Sequence, residues 1–206
     1  MKTTKLEFST NGFFKKALLL SLFAITTFCA TSCSKDDNPA PVVLAPLQDP
    51  LSGYLTASGF IQKTINQVNA GNYEFGYSFI PSVNGKMTEI VVKIPDAQSA
   101  MRVTIWDKAA RTVIRTETID LPSSGVEAIK QIVAIDLIKD KEYFITYNGN
   151  DWYQRSKTDN SAATYPFTVG DIKVTSYAFS SGTAQTMPNT VVTTYYAGDC
   201  SFKFQK

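Results

Sequence analysis

The stretch Tyr73-Glu74-Phe75-Gly76-Tyr77-Ser78-Phe79 has an aromatic ring at every second position. Successive side chains of a β-strand point to opposite faces of the sheet, so this alternation predicts a strand with one buried, aromatic face. The segment Pro81-Ser82-Val83-Asn84-Gly85 follows it with residues that are typical of a turn. Apolar and charged residues then alternate over residues 88–94, and this pattern predicts a second strand.

Similar short runs recur along the rest of the chain at intervals of roughly ten residues, separated by turn residues. They are residues 101–106, 112–119, 126–135, 143–147, 152–155, 172–179, 191–196 and 200–204. Residues 148–151 are predicted to turn one of these strands into the next. We therefore predict an all-β fold, an antiparallel β-sandwich of about 8–10 strands that is either jelly-roll-like or immunoglobulin-like. Cys200, Phe202 and Phe204 are expected to face inward, and no amphipathic helix of about ten residues is expected after residue 33.

The first 32 residues are predicted to be a signal peptide. Residues 1–16 carry four lysines, and residues 17–30 form a mostly apolar run. A run of this length fits the core of an export signal and is shorter than the about 20 residues that a membrane-spanning helix needs. The chain is therefore expected to be exported, with no membrane span.

The residues Ala30-Thr31-Ser32-Cys33 resemble the lipobox of bacterial lipoproteins, in which a cysteine after small residues is lipidated and becomes the new N-terminus. The resemblance implies that Cys33 carries the lipid. The next residues, Ser34-Lys35-Asp36-Asp37, resemble the charged signal that sends some Gram-negative lipoproteins to the cell surface. Together they imply an outer-membrane protein that is held by lipid alone and faces the cell exterior, with a periplasm-facing anchor as the alternative.

Residues 33–52 are predicted to be a tether between the lipid and the folded domain. Four of the nine prolines, at positions 39, 41, 46 and 50, fall within it. A proline-rich segment favours extended geometry and acts as a semi-rigid spacer. The remaining residues, 53–206, have a length that suits one domain, and we expect them to form a single β-sandwich.

The composition excludes several classes of function. The chain has no histidine, which removes the commonest general base and the commonest transition-metal ligand. After Cys33 there remain 16 basic and 17 acidic residues, since four of the twenty basic and one of the eighteen acidic residues precede it. This balance gives no reason to expect a nucleic-acid partner. Cys200 is left without a partner if Cys33 is lipidated, and we expect it to be a small buried residue.

Several segments of the predicted sandwich resemble a family of uncharacterised extracellular bacterial β-sandwich domains. They are residues 73–79, the turn at Gly85 that leads into Ile90, residues 103–106, residues 141–147 and residues 195–202. The resemblance covers about residues 70–204 and implies the sandwich fold. Members of this family often accompany surface and carbohydrate-related proteins, and no activity is established for them, so the resemblance implies no catalytic residues.

Residues 147–155 are the most ligand-like stretch, because aromatic rings that stack on sugars are combined there with amide, carboxylate and guanidinium groups that bind hydroxyls. The predicted ligand-binding residues are Tyr147, Asn150, Asp151, Trp152, Tyr153 and Arg155. The alternative is that the two adjacent aromatics, Trp152 and Tyr153, are core and cross-strand residues of a hairpin.

Asparagine and aspartate oxygens, which Ca²⁺ favours as ligands, are grouped in residues 148–151 and again in residues 159–160. Their spacing matches no defined calcium motif. The sequence therefore predicts no metal site and no cofactor, with a structural calcium ion as the alternative. A glycosidase needs two carboxylates facing each other across a cleft, and no pattern among the acidic residues singles out such a pair.

Together these observations predict a lipid-anchored, non-catalytic binding module at the cell surface, with a glycan or another extracellular ligand. The alternative is a structural or accessory subunit of an outer-membrane protein complex, in which the aromatic residues form a protein interface. A glycan-active hydrolase is the third hypothesis.

Overall fold

A computed structural model describes residues 45–206 of the chain. The predicted signal peptide, Cys33 and most of the tether lie outside these described residues. The elements are helix α1 (Pro50–Ser58) and strands β1 (Ile61–Pro81), β2 (Gly85–Lys93), β3 (Gln98–Asp107), β4 (Thr112–Leu121), β5 (Ala128–Leu137), β6 (Tyr143–Ser156), β7 (Phe167–Val169), β8 (Ile172–Ser181), β9 (Thr190–Val192), β10 (Tyr195–Ala197) and β11 (Asp199–Gln205).

The strands form two sheets that pack against each other. The large sheet has eight strands, in the order β4-β3-β6-β1-β8-β7, with β10 paired to β6 and β9 paired to β8. The small sheet has three strands, in the order β11-β2-β5. Every pair is antiparallel. The prediction of an all-β antiparallel sandwich is confirmed, with eleven strands in the described part of the chain.

The aromatic alternation in β1 supplies the centre of the core. Phe75, Tyr77 and Phe79 are buried on the face that meets the small sheet, and Phe79 lies 4.5 Å from Phe202 of β11 between ring centroids. The face that Cys200, Phe202 and Phe204 present is fully buried as well, which confirms their predicted inward orientation. Burial also raises the pKa of the Cys200 thiol well above its usual value, so the thiol stays protonated and unreactive.

Two long strands differ from their predicted bounds. We predicted a strand from residue 73 and a turn at residues 148–151, but β1 begins at Ile61 and β6 runs through that turn without a break. The prediction of a turn was wrong because β6 pairs with β1 both before and after residues 148–151. Tyr73 lies opposite Gly149. The side-chain amides of the expected turn donate instead to nearby carbonyls: Asn148 Nδ2 donates to Gly182 O at 2.9 Å, and Asn150 Nδ2 donates to Asn69 O at 3.1 Å.

The first half of β1 is irregular. Its pairing with β6 shifts register three times, between Gln62 and Thr64, between Thr64 and Gln67, and between Val68 and Tyr73. Strand β8 pairs with β1 only from Tyr73 onward, so the earlier residues form a sheet edge on that side. We call residues 61–72 of β1 the bulged edge.

Helix α1 was not predicted. Asp49 caps its first turn by accepting a hydrogen bond from the Leu51 amide at 3.1 Å, and Gly59 ends it with a φ of 73°. The helix contacts β7, β8 and β11, and buries the Tyr54 ring completely among other aromatic rings. Its nine residues have no regular apolar stripe, so helical periodicity gave no signal for it.

The folded unit also begins before residue 53, where we predicted it to start. Gln48 exchanges backbone hydrogen bonds of 2.9 and 2.8 Å with Phe204, and the Asp49 carboxylate accepts hydrogen bonds from Ser201 and Lys203. The last residues of the predicted tether therefore belong to the domain. Within residues 45–206, no helix has the length and apolar character that crossing a bilayer requires.

Candidate functional site

An aromatic recess lies beside strand β10, which pairs with β6 in the large sheet. Its volume is about 270 Å³. Strands β1, β6, β8 and β10 supply its wall, and the lining residues are Tyr73, Phe75, Trp152, Gln154, Tyr177, Phe179, Tyr195 and Ala197. Six aromatic side chains thus surround one small space. We call it the aromatic recess.

Strands β1 and β6 provide one wall of the aromatic recess. The rings of Tyr73 and Phe75 are nearly parallel, at 8° and 6.2 Å between centroids, because alternate residues of β1 point to the same side. Trp152 of β6 stands edge-on to both rings, with centroid distances of 5.5 Å and 5.1 Å. These edge-to-face contacts fix the orientation of the indole.

Strands β8 and β10 provide the other wall. Phe179 is paired with Phe75 across the sheet, which brings β8 beside β1 at this level. The Tyr195 ring of β10 lies 5.8 Å from the Tyr177 ring and 6.4 Å from the Phe179 ring. Phe179 also lies 6.1 Å from Tyr73, so the two walls meet at that point.

The floor of the aromatic recess is apolar and its rim is partly polar. Phe75 and Tyr177 expose 2% and 1% of their surface, and Trp152 exposes 8%. Tyr73, Gln154, Phe179 and Tyr195 are half-buried and form the rim. A ligand in the recess would therefore contact mainly the half-buried rings of the rim, together with the rim's hydroxyl and amide groups.

The aromatic recess is electrically neutral. Its lining, among the described residues, includes no charged side chain. Burial and the nearby Tyr73 hydroxyl raise the pKa of Tyr195 above its usual value, and burial raises the pKa of Tyr177 well above it. Because both phenols stay protonated at physiological pH, they serve as neutral hydrogen-bonding groups.

The six predicted ligand-binding residues do not form one site. They lie along β6, and since side chains alternate along a strand, they are divided between its two faces. Trp152 is the member of the set that lines the aromatic recess. Tyr147 is fully buried and donates its hydroxyl hydrogen to Asp151 O at 3.1 Å, while Asn150 Nδ2 donates to Asn69 O at 3.1 Å.

The other three predicted residues contact the small-sheet side of the domain. Asp151 is buried and accepts a hydrogen bond from the Asp96 amide at 2.8 Å. Tyr153 exposes only 7%, with the charged ends of Lys93 and Arg155 each 5.9 Å from its ring centre. Arg155 forms an ion pair with Asp199 at 2.5 Å. These contacts hold the fold together. Trp152 and Tyr153 are buried, as the alternative interpretation expected, but they lie in one continuous strand and not in a hairpin.

Carboxylates gather in a second recess, of about 270 Å³, beside helix α1. Its lining includes the carboxylates of Asp49, Glu127 and Asp199. Lys93 also lines it. Asp49 already accepts hydrogen bonds from Ser201 and Lys203, and Asp199 is paired with Arg155. No group of three or more acidic or cysteine residues suited to a metal ion occurs in residues 45–206.

Sequence reasoning missed most of the aromatic recess. Tyr73, Phe75, Tyr177 and Phe179 lie on predicted strands, where their alternation indicated core residues and nothing more. Gln154 lies within the ligand-like stretch of residues 147–155 but was not among the predicted binding residues. The recess depends on which strands become neighbours, and a single sequence does not encode strand order in any local pattern.

No family model, no curated protein and no solved structure matches the chain. The resemblances to bacterial lipoproteins and to an extracellular sandwich family stay predictions.

Proposed function

We propose that this protein is a non-catalytic binding module that holds a glycan in the aromatic recess. One observation carries the proposal: six aromatic side chains surround an open space whose rim bears hydroxyl and amide groups. Small-molecule sites are typically concave, lined by apolar and aromatic side chains, and equipped with a few polar groups that fix orientation. The recess has each of these properties.

The chemistry of a sugar suits such a surface. A pyranose ring has faces of C–H groups that pack on aromatic rings and a periphery of hydroxyls that need hydrogen-bond partners. The half-buried rings of Tyr73, Phe179 and Tyr195 supply most of the apolar surface, since Phe75, Tyr177 and Trp152 are almost fully buried. The Gln154 amide and the hydroxyls of Tyr73 and Tyr195 supply donors and acceptors at the rim.

The position of the aromatic recess also suits a displayed module. The chain enters the domain at Gln48, whose side chain donates to Asp171 at 2.5 Å, and Asp171 O in turn accepts from the Ser82 amide just after β1. Phe75 lies six residues back along β1 from Pro81, which corresponds to about 20 Å of extended strand. The first contacts of the domain thus lie near the Pro81 end of β1, and Phe75 of the recess lies farther along that strand.

The binding proposal predicts that Tyr195→Ala weakens polysaccharide binding by about tenfold or more, since it removes a rim ring and a hydroxyl. Affinity electrophoresis in gels containing starch, laminarin or galactomannan measures the retardation. Tyr165→Ala is the matched control, because Tyr165 is also half-buried but packs against Tyr54 outside the recess. Failure of the wild-type chain to bind any polysaccharide, or equal retardation of the two variants, would contradict the proposal.

The anchoring proposal has its own test. Cells expressing the protein and fed labelled palmitate should incorporate the label, and Cys33→Ala should abolish it because the thiol that carries the lipid is gone. Cys29→Ala is the control and should leave labelling intact. Persistent labelling of Cys33→Ala would refute a lipid at this position.

One observation favours a second candidate function, that of a subunit docked on an outer-membrane protein complex. Ile129 and Val133 of edge strand β5 and the adjacent Ile138 expose 53%, 76% and 55% of their surface. Exposed β-branched residues on a strand edge are typical of a surface that pairs with a protein strand. Copurification of a stoichiometric membrane protein, lost in Val133→Asp, would favour this function if no polysaccharide is bound.

A further inference from the structure

We propose that the aromatic recess takes the terminal unit of a neutral glycan, one uncharged sugar ring entering end-on, and that it discriminates against acidic sugars. The inference rests on the proposed glycan-binding function and names the class of ligand. Three properties of the recess carry it: its size, its neutrality and the position of Gln154.

The size of the recess limits the ligand to a single ring. Its volume of about 270 Å³ falls below the range of roughly 300–1,000 Å³ that is typical of sites for drug-sized ligands. A space of this size suits one sugar ring, and the rest of a glycan chain would then extend outward past the rim.

The walls of the recess also favour an end over a chain interior. Phe179 and Tyr73 approach to 6.1 Å between ring centroids and join the two walls on that side. The floor is closed by Phe75 and Tyr177, which are almost fully buried. A polymer threading through would need two open sides, as in the grooves of chain-binding modules. A recess that is closed below and on one side accepts a chain end.

The neutrality of the recess sets its charge preference. Of the described residues that line it, none is charged, and both phenols that burial affects remain protonated at physiological pH. An ionised carboxylate that enters such a space loses its water shell without gaining a cationic partner, which is strongly unfavourable. The nearest guanidinium on β6, that of Arg155, is already paired with Asp199. A uronic acid should therefore be rejected.

Gln154 is the residue that we infer to set specificity. It is the lining residue whose side chain both donates through an amide nitrogen and accepts through an amide oxygen, and it lies on β6 beside Trp152. A sugar held against the half-buried rings of the rim would bring its ring hydroxyls to the Gln154 amide. Changing the charge at this position should therefore change the charge of the preferred sugar.

The test uses matched pairs of small sugars as competitors. The full chain in detergent is bound to the polysaccharide that retards it most, and methyl glucoside or methyl galactoside is compared with the corresponding methyl glucuronide or galacturonide. Each pair differs only in a carboxylate that replaces a hydroxymethyl group. We expect the neutral glycosides to compete and the uronides to be weaker by about tenfold or more. In Gln154→Lys, the new cation should shift this ratio toward the uronide by a similar factor.

The outcomes separate the inference from the function on which it rests. If retardation depends on Tyr195 but no methyl glycoside competes, the site binds glycan chains and end-on recognition is wrong. If the glucuronide competes as well as the glucoside, or if Gln154→Lys leaves the ratio unchanged, the proposed charge preference is wrong. If no polysaccharide retards the wild-type chain, the glycan-binding function itself fails. The comparison of neutral and acidic sugars on the wild-type chain needs no variant, so a folding defect in Gln154→Lys does not weaken it.

Discussion

Replacing Gly76 by alanine is expected to destabilise the domain by about 3 kcal/mol or more. Gly76 lies in the middle of β1, paired with Thr146 on one side and Ala178 on the other. A Cβ atom at this position would collide with the Ile145 carbonyl and lie 2.8 Å from Thr146 Cα. The colliding atoms belong to the backbone of the neighbouring strand, so no side-chain rotation relieves the clash.

Gly71 provides the control on the same strand. A Cβ atom there would meet no atom within 4 Å, and we expect Gly71→Ala to change stability by less than about 0.5 kcal/mol. Urea denaturation followed by tryptophan fluorescence measures both variants, since Trp106 and Trp152 are buried. Equal midpoints for the two variants would contradict the close approach of β1 and β6 at Gly76.

Removing the guanidinium of Arg155 should have a comparably large effect. Arg155→Met is expected to cost about 3–5 kcal/mol at pH 7, because it leaves the Asp199 carboxylate buried without its partner. The ion pair measures 2.5 Å, and the side chains of Arg155 and Asp199 expose 17% and 6%. Arg115→Met is the control: Arg115 pairs with Glu117 at 3.3 Å at a more exposed position, and its loss should cost less than about 1 kcal/mol.

The pH dependence of Arg155→Met follows from the direction of the Asp199 pKa. Burial raises this pKa above its usual value of 3.8, and the neighbouring Arg155 lowers it again in part. Without Arg155 the pKa rises further, so the folded state of the variant binds a proton that the unfolded state releases. Stability then increases as the pH falls from 7 toward 4, and the deficit relative to the wild type shrinks.

Denaturation midpoints at pH 7 and pH 5 test this expectation. The double variant Arg155→Met/Asp199→Asn should recover part of the lost stability at pH 7, because it removes the buried charge as well as its partner. A deficit that is independent of pH, or a double variant no more stable than Arg155→Met, would show that the pair contributes through packing alone.

The fold was predictable where it depended on local alternation. The rings at positions 75, 77 and 79 share one face of β1 because side chains alternate along any strand, and burial of that face followed directly. The prediction of a turn at residues 148–151 was wrong because the structure there depends on pairing with a distant strand and not on local sequence. Its Asn-Gly pair has a local preference for turns, but pairing of Gly149 with Tyr73 outweighs that preference once β1 and β6 lie side by side.

The candidate site was less predictable because it is built from distant parts of the chain. Trp152 was identified from its neighbours in sequence, yet the partners that make it part of a recess are Tyr73, Phe179 and Tyr195. The pairing of Phe75 with Phe179 and of β10 with β6 brings them together. Such contacts are fixed by register and strand order, which local composition does not specify.

The bulged edge has a consequence for how these molecules behave when crowded. Residues 61–72 expose an unpaired strand side with apolar residues such as Ile65 and Val68, which are 76% and 58% exposed. A straight strand of this kind would offer neighbouring molecules a template on which to grow a continuous intermolecular sheet. The three register shifts interrupt its row of backbone N–H and C=O groups. A strand of a second molecule therefore cannot form a long, regular set of hydrogen bonds with it. The irregularity of β1 thus protects the protein against fibre-like aggregation at high local concentration.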